Sequence, residues 1–191
     1  NKKPAIRHIL DKFQQYRPNK FFITVNYKAE VLKSYFSETD GKYKISLINE
    51  DKPLGTAGGH FYLKNKIKNR FFLTNCDTLI DTDYYELLNF HKKNKNDITA
   101  VVANKIFTIP YGVCEIKNNN FSLKEKPKLK FKVNVRLYVI ESKILKSIKQ
   151  KRYLDFNTLL NETLRKGDKV GYYEIKDKDW IDVGQMEKYK S

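Results

Sequence analysis

The stretch Arg70-Phe71-Phe72-Leu73-Thr74-Asn75-Cys76-Asp77 decides how the rest of the chain is read. A short continuous apolar run closed by polar turn residues is the pattern of a strand buried on both faces. The run puts Asp77 at the carboxyl end of that strand, the edge of an open α/β sheet where ligands collect. Toward the N terminus, Phe21–Val25 is a second apolar run and 43–48 alternates as a strand. Ile6, Ile9, Leu10 and Phe13 recur at helical spacing after Pro4, a residue suited to a first helical turn. Val31, Leu32, Tyr35 and Phe36 mark a helix over 29–36, a short one is expected over 57–65, and Leu87, Leu88 and His91 mark another over 83–94. Strand and helix alternate, which predicts βαβ units on a parallel sheet.

Toward the C terminus the pattern changes. Segments 98–103, 111–116, 121–124 and 133–140 read as strands joined by loops, so this half is expected to be more antiparallel. Helices over 142–148 and 156–166, the latter ended by Gly167, and a strand over 169–175 complete the reading. Neither an internal repeat nor a Pro/Gly/Ser linker interrupts the chain. One domain is expected over 1–191, with functional halves at 1–103 and 104–191.

A chain of 191 residues that is 40% hydrophobic can bury a sizeable core. No run reaches the ~20 apolar residues of a membrane span, and no secretory leader pattern opens the sequence. A soluble, cytoplasmic protein without a membrane partner is the expectation. Cys76 and Cys114 lack the spacing of a disulfide framework or a zinc site, and are expected to be free thiols. The 38 basic against 22 acidic side chains leave a net charge of +16, the footprint expected of a nucleic-acid binder. Yet only six of the 38 are arginines, and 17 asparagines accompany the 32 lysines, a pairing that reads as nucleotide bias in the coding genome. The lysines are scattered through every segment, so no specific nucleic-acid partner is expected.

Chemistry is sought just beyond the strands. Asp77 suits a magnesium ligand, because Mg²⁺ takes one or two protein carboxylates and fills its other positions with water and substrate phosphates. The competing role, capping the next helix, falls more naturally to Asp81 or Asp83. Trp180-Ile181-Asp182-Val183-Gly184 offers a second acid in an apolar setting, although alone it also reads as a turn. Pro53-Leu54-Gly55-Thr56-Ala57-Gly58-Gly59 combines three glycines with small residues ahead of a helix, so backbone could approach a ligand closely there; punctuation is the other reading.

Taken in order, these segments resemble the sugar-phosphate nucleotidyltransferase family across nearly the whole chain. The resemblance also rests on Asn26-Tyr27-Lys28 with Tyr35-Phe36, Phe90-His91, Pro110-Tyr111-Gly112-Val113, Glu125-Lys126-Pro127 and Val133-Asn134. Within the family the likeness is to the mannose-1-phosphate guanylyltransferase branch. It implies an α/β, Rossmann-like fold whose mostly parallel mixed sheet is flanked by helices. It also implies synthesis of a nucleotide-sugar, a GDP-sugar in this branch, and pyrophosphate from a sugar 1-phosphate and a nucleoside triphosphate. Asp77 and Asp182 match the family's Mg²⁺-binding acids, and Lys126 joins them as a catalytic group. Leu54, Gly55, Thr56, Gly58 and Asn75 match nucleotide-binding positions. Tyr111, Gly112, Glu125, Lys126 and Asn134 match positions meeting the sugar or its phosphate.

The resemblance brings departures. Relatives open with a strand and a G-G-x-G-T-R-L phosphate loop, and this sequence starts after them, so the fold is expected to lack its first strand. An impaired catalyst, with exposed strand edges that favour self-association, is expected on that account. Val135 and Arg136 stand where relatives carry a small residue and Gly, and Cys76 replaces the Gly between Asn75 and Asp77. Two other classes compete. A catalytically silent nucleotide- or sugar-binding domain, or an inactive fragment, differs in turnover; a basic nucleic-acid module predicts binding that weakens steeply with salt.

Overall fold

The computed structural model describes residues 3–38 and 41–186. Its central feature is a four-stranded sheet in the order β3 (Phe71–Thr74), β8 (Lys128–Ile140), β5 (Ile98–Thr108), β9 (Val170–Ile175). β8 is antiparallel to both neighbours and β9 is parallel to β5, so three of the four strands run in one direction. The mixed sheet expected from the sequence is therefore present, although two of its three pairings, β3–β8 and β5–β8, are antiparallel. β1 (Phe21–Val25) and β2 (Ile45–Asn49) pair in parallel as a separate two-stranded sheet.

Helices cover both faces of the main sheet. On one face α1 (Ala5–Gln14) and α4 (Tyr84–Lys93) send Phe13, Tyr84 and Leu87 against Val101, Val135, Leu137 and Val139. On the other, α3 (Gly55–Gly58), α5 (Ser142–Ser147) and α6 (Phe156–Arg165) send Ala57, Ile144, Phe156 and Leu159 against Ile98, Ala100, Tyr138 and Ile140. Each large apolar side chain removed from water contributes roughly 1.5–3 kcal/mol, which is why the two layers hold the sheet between them. Phe13 of α1 also spans the two sheets, with its ring 6.4 Å from that of Phe21 in β1 and 5.6 Å from that of Phe72 in β3. α2 (Ala29–Ser37) follows β1 as expected.

Several boundaries differ from the sequence reading. The helix expected over 57–65 is one α-turn, α3, continued as a 3₁₀ turn over Gly59–Leu63. β5 and β8 are longer than expected and pair from Val102↔Asn134 out to Thr108↔Lys128 as a ribbon. Exposure on both sides obscured that ribbon, because the alternation in Lys128-Leu129-Lys130-Phe131-Lys132 serves no buried face. The strands expected at 111–116 and 121–124 are β6 (Val113–Lys117) and β7 (Asn120–Lys124), which pair antiparallel as a hairpin. Two three-residue strands, β4 (Thr78–Ile80) and β10 (Trp180–Asp182), were not anticipated; they pair antiparallel, and α7 (Val183–Met186) follows. Asp83 caps α4 by accepting from the N–H groups of Tyr85 and Glu86 at 2.7 and 3.2 Å. Asp81 instead pairs with Lys12 at 2.6 Å. Both cysteines are free thiols.

Candidate active site

The pairing of β4 with β10 brings the two sequence-selected acids together. Asp182 lies opposite Thr78, the residue after Asp77, and the Val183 N–H donates to the Asp77 carbonyl at 2.9 Å. A Cβ placed on Gly184 would lie 3.1 Å from Asp77 Oδ2 and 3.5 Å from Asp182 Oδ1, so both carboxylates converge on one point. The Thr78 hydroxyl donates to Asp77 Oδ1 at 3.4 Å, and both acids are half-buried. Two hard oxygen donors brought together beside an exposed glycine fit a Mg²⁺-like cation, which needs few protein ligands. Among the described residues no group of three or more His, Cys, Asp or Glu side chains gathers into a metal cage, here or elsewhere. A mainly apolar cavity of about 200 Å³ lies behind these strands, lined by Ile9, Thr78, Tyr84 and Trp180 among others. Asn75, half-buried, sits in the same turn as Asp77.

The glycine-rich segment is tied to a partner about a hundred residues away. The N–H groups of Ala57 and Gly58 donate to the Leu154 carbonyl at 2.8 and 3.0 Å, and the Leu154 N–H donates to the Leu54 carbonyl at 2.8 Å. The Phe156 N–H donates to the Thr56 hydroxyl at 2.8 Å, while the Thr56 N–H donates to Asp155 at 3.4 Å. The two segments thus cap each other at the start of α6. Leu54 is 0% exposed and Gly58 is buried, which leaves Pro53, Gly55 and Thr56 as the accessible part of the segment. His60, just beyond it, is buried with Nδ1 unpaired, and burial pushes its pKa down to about 4.

The remaining candidates lie on the ribbon and hairpin. Gly112 and Glu125 face each other at the hairpin base, where a Cβ on Gly112 would lie 3.1 Å from Glu125 Oε2. Tyr111 is 73% exposed beside them, and Lys126 follows in an exposed turn with φ +43°. Asn134 donates from Nδ2 to the Tyr138 hydroxyl at 2.6 Å, and the Tyr138 and Phe156 ring centroids are 4.0 Å apart. Asn134 therefore connects through Tyr138 to the clasp between Thr56 and Asp155. The sequence reading missed Thr78, Gly184, Asp155 and Tyr138. Asp155 could have been found as an acid directly ahead of the apolar run of α6; the others depend on strand pairing.

The profile of the family described as Nucleotidyl transferase matches residues 1–191. The chain belongs to this family. The chain is similar to a mannose-1-phosphate guanyltransferase of Aspergillus oryzae, with 30% identity over 99% of this chain and 54% of that protein. The Arabidopsis thaliana mannose-1-phosphate guanylyltransferase 1 is 27% identical over 98% of this chain and 54% of its own length. The chain thus spans about half the length of these relatives. Among solved structures, HddC from Yersinia pseudotuberculosis complexed with GMP-PN superposes with a TM-score of 0.74 at 19% identity, covering 98% of this chain and 83% of that one. A putative glucose-1-phosphate thymidylyltransferase from Bacillus anthracis gives 0.69 at 19%, covering 95% and 77%. At these identities the two structures establish the fold, a nucleotidyltransferase α/β fold with a helix-flanked sheet. No helix among the described residues is long and apolar enough to cross a membrane. His91, expected to pack, is fully buried, with Nδ1 2.8 Å from the Thr99 hydroxyl and Nε2 3.3 Å from Glu141.

Proposed function

We propose that the chain catalyses formation of a nucleotide-sugar, a GDP-sugar by its likeness to the mannose-1-phosphate guanylyltransferases, from a sugar 1-phosphate and a nucleoside triphosphate. The observation that carries this reading is the convergence of the Asp77 and Asp182 carboxylates beside Gly184, near the carboxyl end of β3. In the reaction a phosphate oxygen of the sugar 1-phosphate attacks the α-phosphorus. A new P–O bond forms, and the α–β bridging bond breaks with its electron pair leaving on pyrophosphate. No side-chain nucleophile is needed, so the protein's work is alignment and charge neutralisation. Asp77 and Asp182 would hold Mg²⁺, which when bound supplies positive charge to the phosphates. Lys126 adds a cation on the acceptor side. The accessible backbone at Gly55 and Thr56, with Asn75, would receive the nucleotide, and Tyr111, Gly112, Glu125 and Asn134 would line the sugar.

A pyrophosphate-release assay on the natural full-length protein, with sugar 1-phosphates, each common nucleoside triphosphate and Mg²⁺, tests this. Turnover is expected with at least one pair, highest with GTP and mannose 1-phosphate. Asp77→Asn and Asp182→Asn should each cut it roughly a thousandfold, a loss of about 4 kcal/mol of transition-state stabilisation, without lowering thermal stability. Silence with every pair, or near-native turnover in both variants, would overturn the reading.

A further inference from the structure

Arg136 holds a backbone conformation that its residue type disfavours. Its φ of +62° lies in the left-handed region, in the middle of β8, where the β5–β8 register shifts between Ala100↔Tyr138 and Val102↔Asn134. A non-glycine residue stays in that region only where its surroundings enforce it, and such positions gather at ligand-binding sites. Val135 and Leu137 on either side are fully buried in the core beneath α1 and α4. Arg136, exposed, is therefore turned to the opposite face.

That face is the one carrying Asn134 and Tyr138. Asn134 Oδ1 accepts the Arg136 N–H at 2.9 Å while Nδ2 donates to the Tyr138 hydroxyl, so one side chain fixes both neighbours. Burial raises the Tyr138 pKa, and the Asn134 hydrogen bond and then the Arg136 charge oppose that rise, so the guanidinium acts on the Tyr138 hydroxyl electrostatically. The β3–β8 ladder ends at Thr74↔Leu137, and the next residues outward on the two strands are Asn75 and Arg136. The arginine thus stands beside the turn that carries Asp77. Arg70 and Arg152 are paired with Glu141 and Glu162, whereas Arg136 has no carboxylate partner among the described residues.

We propose that Arg136 binds the phosphate of the incoming sugar 1-phosphate and positions its attacking oxygen beside the Asp77–Asp182 pair. The proposal rests on the functional reading given above. A guanidinium presents a planar fork of N–H donors that matches two phosphate oxygens at once, and an unpaired one between an acid-bearing turn and an amide is free to do so. The left-handed backbone supplies a separate signature. Glycine relieves the strain at this position but removes the phosphate donor, so stability and acceptor binding should move in opposite directions.

The test uses the natural full-length protein with Arg136→Gly and Arg136→Lys, GTP and mannose 1-phosphate. Arg136→Gly should raise the thermal midpoint by roughly 2–4 °C. It should also raise the acceptor KM by roughly 10- to 100-fold with the GTP KM unchanged. Arg136→Lys should recover part of the acceptor KM without the gain in midpoint. An unchanged acceptor KM in the glycine variant, a rise in the GTP KM instead, or no recovery with lysine would overturn the assignment. Should the wild type release no pyrophosphate from any pair, the functional reading falls separately. Calorimetric binding of mannose 1-phosphate then decides for Arg136: binding lost in the glycine variant upholds the role, and equal binding or none in both proteins overturns it.

Discussion

Two turns of this molecule place glycine beside functional candidates, and they need it for opposite reasons. In the clasp, a Cβ on Gly58 would lie 2.6 Å from the Arg152 carbonyl oxygen and 2.7 Å from Leu54 Cβ. One on Gly55, whose φ is +78°, would lie 2.8 Å from the Leu154 carbonyl oxygen. The protein's own chain fills that space. At Gly184 the nearest atoms are instead the carboxylate oxygens of Asp77 and Asp182 at 3.1 and 3.5 Å, with the residue exposed. A glycine-rich sequence thus reports packing against the protein's own backbone in the first region, whereas the single glycine of the second stands in close contact with two acids. The clasp is the more conspicuous in sequence, yet most of its glycine requirement is met by residues 152–155.

Substitutions at these two turns put the contrast to the test. Gly58→Ala carries the largest expected effect, because the backbone of 152–154 must move to admit the methyl group. The unfolding free energy should fall by about 3 kcal/mol, read by denaturant titration; a loss under about 1 kcal/mol would mean that the clasp is looser than its distances. His60, at the end of the same segment, gives a pH test. Burial holds its folded pKa at about 4, below the ordinary value near 6.5. Its contribution is therefore complete above pH 6.5 and lost as pH falls from 6.5 toward 4, about 3 kcal/mol in all. Against wild type, His60→Gln should show a flatter stability profile across that window, and identical profiles would remove His60 from the acid limb. Gly184→Ala should be the mildest. Alanine suits the α7 turn, so stability should stay within about 0.5 kcal/mol, while the displaced Asp77 carboxylate lowers kcat about tenfold. A Gly184→Ala protein that unfolds like Gly58→Ala would erase the distinction.

What the sequence discloses follows the same division. The strand Phe71–Thr74 is legible because its apolar run is continuous, although at the edge of the main sheet it is half-buried and not buried on both faces, and its direction puts Asp77 where a ligand can reach it. Asp182 is legible only as an isolated acid, since β10 has three residues and no periodicity can mark so short a strand. Its meaning comes from pairing with Thr78. Likewise nothing near Thr56 signals Asp155, because a contact across 99 residues leaves no local pattern. Arg136 stands out in sequence only against the pattern that the family resemblance implies, and its left-handed backbone and its face on β8 are properties of the bulge.

The position of Trp180 has a consequence for spectroscopy. It is the sole tryptophan in the chain and lies two residues before Asp182 on β10. Its indole N–H donates to Asp177 at 3.1 Å, and the Lys105 ammonium lies 5.0 Å from the ring centroid. An indole between a carboxylate and an ammonium emits at a wavelength set by their combined field. Charge arriving at the neighbouring acids alters that field, so the intrinsic fluorescence of the protein is a label-free gauge of occupancy at the acid pair, undiluted by any second emitter of its kind.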